Sequence, residues 1–190
     1  MKKSIFLIVM ILISVCLRAQ EENNKGGEAG SKHSIGLTIG HESVFNGRDE
    51  NGKKKTLKLP FWGVDYNYRI NSKWLIGLHT DIILESFEVE KNLKSGTEEV
   101  VERTIPVAPA IIGMFTPGEH WKFGLGAGAE FAKEATYFLN RAAVEYGQEF
   151  GKGWEVFCSL QYDFRWNAYD TWTIGLGISK TLGGNGKKKD

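Results

Sequence analysis

The sequence predicts an all-β fold: an eight-stranded antiparallel up-and-down transmembrane β-barrel, preceded by a cleaved N-terminal signal peptide. Three observations carry that expectation. Apolar residues alternate with small or polar ones at a period of two through most of the chain. The alternating segments run roughly 9 to 12 residues, the length a tilted strand needs to cross a bilayer. The six tryptophans sit at segment ends and never between them, where indole rings favour a membrane interface.

The amino terminus is read as an export signal. Lys2 and Lys3 precede an apolar run from Ile5 to Leu17, and Ala19 closes a small-residue cleavage site, so residues 1–19 form the signal peptide. At 13 residues the run is shorter than the roughly 20 of a spanning helix. A lipoprotein reading through Cys16 is the weaker one, because Val15 is bulky where a small residue precedes the lipidated cysteine. Cleavage removes three basic residues and no acid, taking the net charge from +1 to −2, and leaves Cys158 as the sole cysteine. Residues 20–33 are a polar, aperiodic lead-in, residues 34–182 the barrel and residues 183–190 a polar tail.

Each strand follows from its own pattern. Ser34 to Phe45 places Ile35, Leu37 and Ile39 on one face, and Trp62, Val64, Tyr66, Tyr68 and Ile70 alternate with Gly63, Asp65, Asn67 and Arg69. Trp74, Ile76, Leu78, Thr80, Ile82 and Leu84 alternate with Gly77, His79, Asp81 and Glu85. Thr104 to Phe115 is weakened by Pro106 and Pro109, which suit an edge or a bulge. Trp121, Phe123, Leu125, Ala127, Ala129 and Phe131 alternate with Lys122, Gly124, Gly126, Gly128 and Glu130. Tyr137 to Gln148 offers only Phe138, Ala142, Val144 and Tyr146 to an apolar face. The segment from Trp154 to Trp166 alternates throughout except at Phe157, and Trp172, Ile174, Leu176 and Ile178 alternate in the last.

The connections then sort by length. Asn71-Ser72, Pro117 to His120 and Gly151 to Gly153 are tight turns expected at the periplasmic end, while Asn46 to Thr56 and Glu88 to Glu99 are long charged loops expected outside; the other two outer connections, near Lys133 to Thr136 and Asn167 to Asp170, are short, so the asymmetry is partial. Trp74, Trp121 and Trp154 fall at the first end and Trp62, Trp166 and Trp172 at the second. Twelve steps separate Trp154 from Trp166, which at about 3.3 Å each and a tilt near 40° projects to roughly 30 Å, an apolar belt with its two girdles. The mean hydropathy of −0.27 and 42% hydrophobic content suit such a barrel, because hydropathy averages over an apolar outside and a charged inside. The alternative is a periplasmic lipocalin-like lipid carrier with the apolar set inside. It would leave glycines such as Gly124, Gly126, Gly128, Gly175 and Gly177 on a solvated face.

The closing stretch from Phe138 to Gly183, with Arg141, Glu145, Tyr146, the WEV run at Trp154 and the YDTW turn at Tyr169, resembles the last strands of the outer membrane protein β-barrel family common in Bacteroidota. The likeness extends more loosely over residues 34–182 and implies a barrel located in the cell outer membrane, delivered by the assembly machinery, rather than an activity. The sequence departs from the family at Leu182, where the last strand usually ends on an aromatic residue.

Motifs for chemistry are few. Gly124 to Ala129 has the glycine spacing of a dinucleotide fingerprint, but a strand's period runs straight through it where a helix must begin. His33, His41, His79 and His120 are scattered without metal-ligand spacing, and no cofactor or metal is implied. His41 and Ser43 share a strand face and are similar to the His-x-Ser of outer-membrane lipid A deacylases, a hydrolase alternative. The Asn-Ala-Gly that follows in that family is Val44-Phe45-Asn46 here, and no orienting acid matches.

The inward set comprises Asp65, Arg69, His79, Asp81, Glu85, Glu130, Arg141, Glu145, Asp163 and Arg165. Both signs recur on several strands, as a lumen just wide enough to be filled by side chains requires. The expectation is a monomeric, non-enzymatic outer-membrane barrel with a structural or surface-interaction role, bathed in outer-membrane lipid and lipopolysaccharide. Lys53, Lys54 and Lys55 are the candidate loop contact for lipopolysaccharide phosphates. A near-neutral charge argues against nucleic-acid binding.

Overall fold

The computed structural model describes residues 32–49, 51–91 and 99–182. The expected signal peptide, Cys16, nearly all of the lead-in and the polar tail lie outside the described residues. Ten strands form in chain order: β1 (His33–Arg48), β2 (Lys54–Arg69), β3 (Trp74–Ile83), β4 (Phe87–Lys91), β5 (Glu99–Arg103), β6 (Val107–Phe115), β7 (Trp121–Phe131), β8 (Thr136–Gly151), β9 (Trp154–Arg165) and β10 (Asp170–Leu182). Eight of them close a barrel in which each pairs antiparallel with its neighbours, and β10 returns to β1 from His33↔Leu182 to Val44↔Thr171. Closure removes the sheet edges that an isolated sheet would expose.

The remaining two strands are a difference from the sequence expectation. Where a loop is expected from Glu88 to Glu99, β4 and β5 pair as a hairpin, and β4 joins β1 at Gly47↔Val89 just beyond the point where β10 leaves β1. The hairpin therefore crosses the mouth at the end that is expected outside, the outer end. The expected loop from Asn46 to Thr56 shrinks likewise, because the β1–β2 ladder continues past a bulge between Val44 and Gly47. Asn46 accepts a left-handed φ of 61° there. The turn is closed by Asp49, whose carboxylate accepts the backbone N–H groups of Asn51 and Lys53.

Pro60 and Pro109 fall where a ladder ends or is interrupted. Pro60 ends the β2–β3 pairing, its carbonyl accepting Leu84 N–H. Pro109 sits in the gap between Val107↔Phe131 and Ala110↔Gly128.

Along the membrane-spanning part the apolar set faces out: Leu125 is 74% and Phe138 75% exposed, while Arg141 inside is 1% exposed. This arrangement overturns the lipocalin-like alternative, which needs the reverse. In β2 the two faces exchange character. From Trp62 to Tyr68 the outward residues are Trp62, Val64, Tyr66 and Tyr68; from Lys54 to Lys58 the same face carries Lys54, Thr56 and Lys58, while Leu57 and Leu59 turn inward. β1 does the same, following Ile35, Leu37 and Ile39 with His41 and Ser43. The exchange occurs at Trp62, level with Ile39 and Ile82.

Inward glycines make room for two rings. Phe61 lies against Gly40 and Gly175, and Phe157 against Gly177, which explains the one break in the β9 alternation. A Cβ at Gly40 would meet the Ile174 carbonyl and come within 2.7 Å of Gly175 Cα, both backbone atoms that cannot swing aside. Gly40→Ala is expected to cost about 1–3 kcal/mol, whereas Gly118→Ala, with nothing within 4 Å, stays within about 0.5 kcal/mol. Urea unfolding of the two variants in lipid vesicles checks the difference.

Candidate functional site

The strand alternation delivers charged side chains to the lumen in three tiers. Nearest the periplasmic end, Lys122 Nζ lies 2.8 Å from Glu155 and 3.4 Å from Glu145, and 5.5 Å above the Phe157 ring. His79 approaches Asp65 at 3.5 Å and Asn67 at 2.9 Å from its two ring nitrogens. In the middle tier Arg141 holds Asp163 through two 2.8 Å hydrogen bonds and Asp81 at 2.8 Å, and Gln161 donates to Asp81 at 2.5 Å. Such a two-pronged guanidinium–carboxylate pair is the strong form of the interaction.

The outer tier turns on Glu130, which is fully buried. It accepts from Arg165 at 2.5 Å, from Arg103 at 2.5 and 3.0 Å, and from the Tyr169 hydroxyl at 2.6 Å. Arg165 also donates to Glu42 at 3.0 Å and Thr171 at 2.8 Å, and its guanidinium stacks over Tyr169. Arg103 belongs to β5, so the hairpin across the mouth is pinned into the barrel wall by a pair with no exposed surface. Above it Val44, Leu59, Ile83, Phe87, Val89, Ala168 and Tyr169 form an apolar cluster.

Of the inward residues read from the sequence, Asp65, His79, Asp81, Glu130, Arg141, Glu145, Asp163 and Arg165 are buried. Arg69 and Glu85 are not: Arg69 ends β2 at the periplasmic mouth, and Glu85 follows the end of β3, where the chain leaves the ladder and its alternation no longer fixes a face. Glu42, Arg103, Lys122, Gln161, Tyr169 and Thr171 belong to the tiers and were not singled out. The alternation of β1 signals Glu42; Arg103 and Tyr169 lie on a hairpin and a turn that periodicity does not reach.

His41 and Ser43 lie on the outward face of β1, opposite Pro60 and Lys58, beyond the level of Trp62. No hydrogen bond joins them among the described residues, and the neighbouring Glu42 points into the lumen toward Arg165. Trp74, Trp121 and Trp154 open β3, β7 and β9, Trp166 follows β9, and Trp172 is near the start of β10. Trp62 is midway along β2 instead of at its end, because that strand continues outward. All six rings are exposed. Trp166 Nε1 donates to Asn140 at 2.8 Å.

No family model matches the chain, and no curated protein matches it. Among solved structures, it is similar to neisserial surface protein A at 11% identity, over 82% of this chain and 100% of that one, with a TM-score of 0.50. It is similar also to the outer membrane protein OprG of Pseudomonas aeruginosa at 10% identity, over 80% of this chain and 97% of that one, with a TM-score of 0.51. The chain has the fold of a small outer-membrane β-barrel. At these identities the likeness is one of fold.

The two arginines on Glu130 differ in what they support. Arg165→Met leaves Glu42 without its arginine inside the barrel and is expected to cost about 3–5 kcal/mol of barrel stability. Arg103→Met leaves Glu130 with Arg165 and Tyr169, so the barrel persists while the hairpin loosens. Limited proteolysis of the folded protein then cuts within β4 or β5 faster than in the parent; an unchanged rate overturns the latch.

The hairpin's second anchor responds to acid. Glu90 lies 2.5 Å from Arg48 and 3.1 Å from Lys54, and the hydrogen bond from Lys54, reinforced by both positive charges, holds its carboxyl below the ordinary 4.5. A carboxyl lowered on folding stabilises fully above its unfolded pKa and ceases to as pH falls through the folded one. Amide exchange at Val89 is expected to be pH-independent, after correction for intrinsic chemistry, above pH 4.5 and to quicken below it.

Proposed function

We propose that the protein resides in the outer membrane as a non-enzymatic monomer, with a structural or surface-interaction role exerted through its outer end. The observation that carries this reading is the filled lumen: three tiers of paired charges capped by the apolar cluster under the β4–β5 hairpin. A barrel of this size plugged by its own side chains serves as an anchor and leaves interaction to its extensions. The resemblance of Phe138 to Gly183 to the Bacteroidota barrel family, and delivery by the assembly machinery, accord with it.

The six tryptophans act as girdles in lipid, and lipopolysaccharide meets the outer turn. Lys54 is engaged by Glu90, so Lys53 and Lys55 are the lysines that would meet its phosphates.

Cell fractionation with electrophoresis of boiled and unboiled samples tests the reading. A heat-modifiable band in the outer-membrane fraction is expected; a soluble, unshifted band overturns it. In a lipopolysaccharide pull-down, K53Q/K55Q is expected to bind less than K54Q, and equal retention removes the loop contact.

A further inference from the structure

The lipid-facing wall is indented on one side. A shallow groove of about 760 Å³ spans β3 to β8, with Leu78, Ile111, Phe131 and Phe138 among its apolar sides. Phe131 is paired with Val107, Val107 with Ile82 and Ile82 with Trp62, so the groove starts at the line where the strand faces exchange and runs from there along the membrane part.

Two polar groups in this groove lack a partner. Even-numbered residues of β6 turn their hydrogen bonds toward β3, in line with Ile83 N–H to the Pro106 carbonyl at one end of that ladder and Thr116 N–H to the Lys73 carbonyl at the other, so odd-numbered ones face β7. Pro109 is one of these. It has no N–H to give to the Ala129 carbonyl across from it, and the β6–β7 ladder skips that step. Ala127, the next outward residue of β7, stands across from Asn140 on β8. The Asn140 side-chain oxygen accepts Trp166 Nε1 at 2.8 Å, and its amide N–H groups have no acceptor among the described residues. Pro109, Ala129 and Asn140 all line the groove. A carbonyl without a donor and an amide without an acceptor are costly where lipid replaces water.

The head of the groove is basic. Lys133 sits in the turn that joins Phe131 to Phe138, exposed and in no ion pair among the described residues, while its neighbour Glu134 is turned onto Thr104. Ala129 stands two residues inside Phe131, so whatever satisfies its carbonyl lies close below that head.

We propose that this groove binds a membrane lipid with a phosphate head and an acyl chain hydroxylated near that head. The chain lies along Phe131, Phe138 and Ile111, its hydroxyl donates to the Ala129 carbonyl and accepts from the Asn140 amide, and the phosphate meets Lys133. The site is separate from the contact at Lys53 and Lys55. It requires a wall that faces lipid and holds in either orientation of the barrel.

The probe is 3-hydroxymyristoyl phosphatidic acid, titrated against the full protein in detergent micelles and read by native mass spectrometry, with the unhydroxylated myristoyl lipid as control. The hydroxylated lipid is expected to bind about tenfold more tightly. Pro109→Ala supplies the missing N–H to Ala129 and is expected to cut that preference to about twofold, and N140L lowers it as well. K133Q weakens both lipids about threefold and leaves the preference in place. Heat-modifiable migration confirms each variant as a folded barrel. Equal binding of the two lipids by the parent, a preference undiminished in the folded P109A and N140L variants, or affinities unchanged in K133Q overturns the proposal.

Discussion

Glu130 is a carboxylate with no access to water, and what surrounds it sets the shape of the outer half of the molecule. Its acceptor sites are filled by Arg103 from β5, Arg165 from β9 and the hydroxyl of Tyr169 from the turn before β10, while its own backbone belongs to β7. A buried charge persists only when matched this way, because desolvation costs several kcal/mol per ion and removing one partner leaves that cost standing. The barrel wall, the hairpin over the mouth and the last turn are therefore held to one point. A narrow lumen makes such nodes necessary, since the inward side chains have only one another as solvent.

Volume obeys the same constraint as charge. Two large rings, Phe61 and Phe157, occupy the lumen, and each lies where facing strands carry glycine: Gly40 and Gly175 for the first, Gly177 for the second. Leu75, Ile112, Met114 and Ala143 fill a further inward section. The glycines that look like weak points in a strand are the counter-shape of the rings. Lys122 shows charge and volume acting together, with its ammonium on Glu155 and above the Phe157 ring.

The barrel was legible in the sequence wherever a strand has lipid on one side. There the outward residue must be apolar and the inward one small or polar, so the period of two was clear in β3, β7, β9 and β10, and in the first three it assigned Asp81, Glu130, Asp163 and Arg165 to the lumen. It was not legible where water surrounds the chain. Lys54, Thr56 and Lys58 face out in β2 much as loop residues would, and nothing local distinguishes a solvated ladder from a charged loop. The hairpin was hidden for a related reason: Arg103 and Phe87 are buried by contacts with Glu130 and Tyr169, partners far away in sequence. Arg69 and Glu85 mark the opposite limit, where the alternation was carried past the residues that the ladder holds.

The exchange of faces at Trp62 connects these parts. Below it the strands have lipid outside, and stability comes from putting charge inside and pairing it. Above it the same strands have water outside, and the ordinary soluble arrangement returns, with Val44, Leu59, Phe87 and Val89 packed inward under lysines and glutamates. Two cores of opposite chemistry are thus stacked along one set of strands, and Arg103 with Tyr169 bridges them, each touching Glu130 below while Tyr169 packs on Phe87 above. His41 and Ser43 fall on the water side of that boundary, so their polarity follows from where they stand. The same boundary gives the outer end its own shape, with an edge of β2 that has no partner among the described residues, while the membrane part below it has every strand paired on both sides.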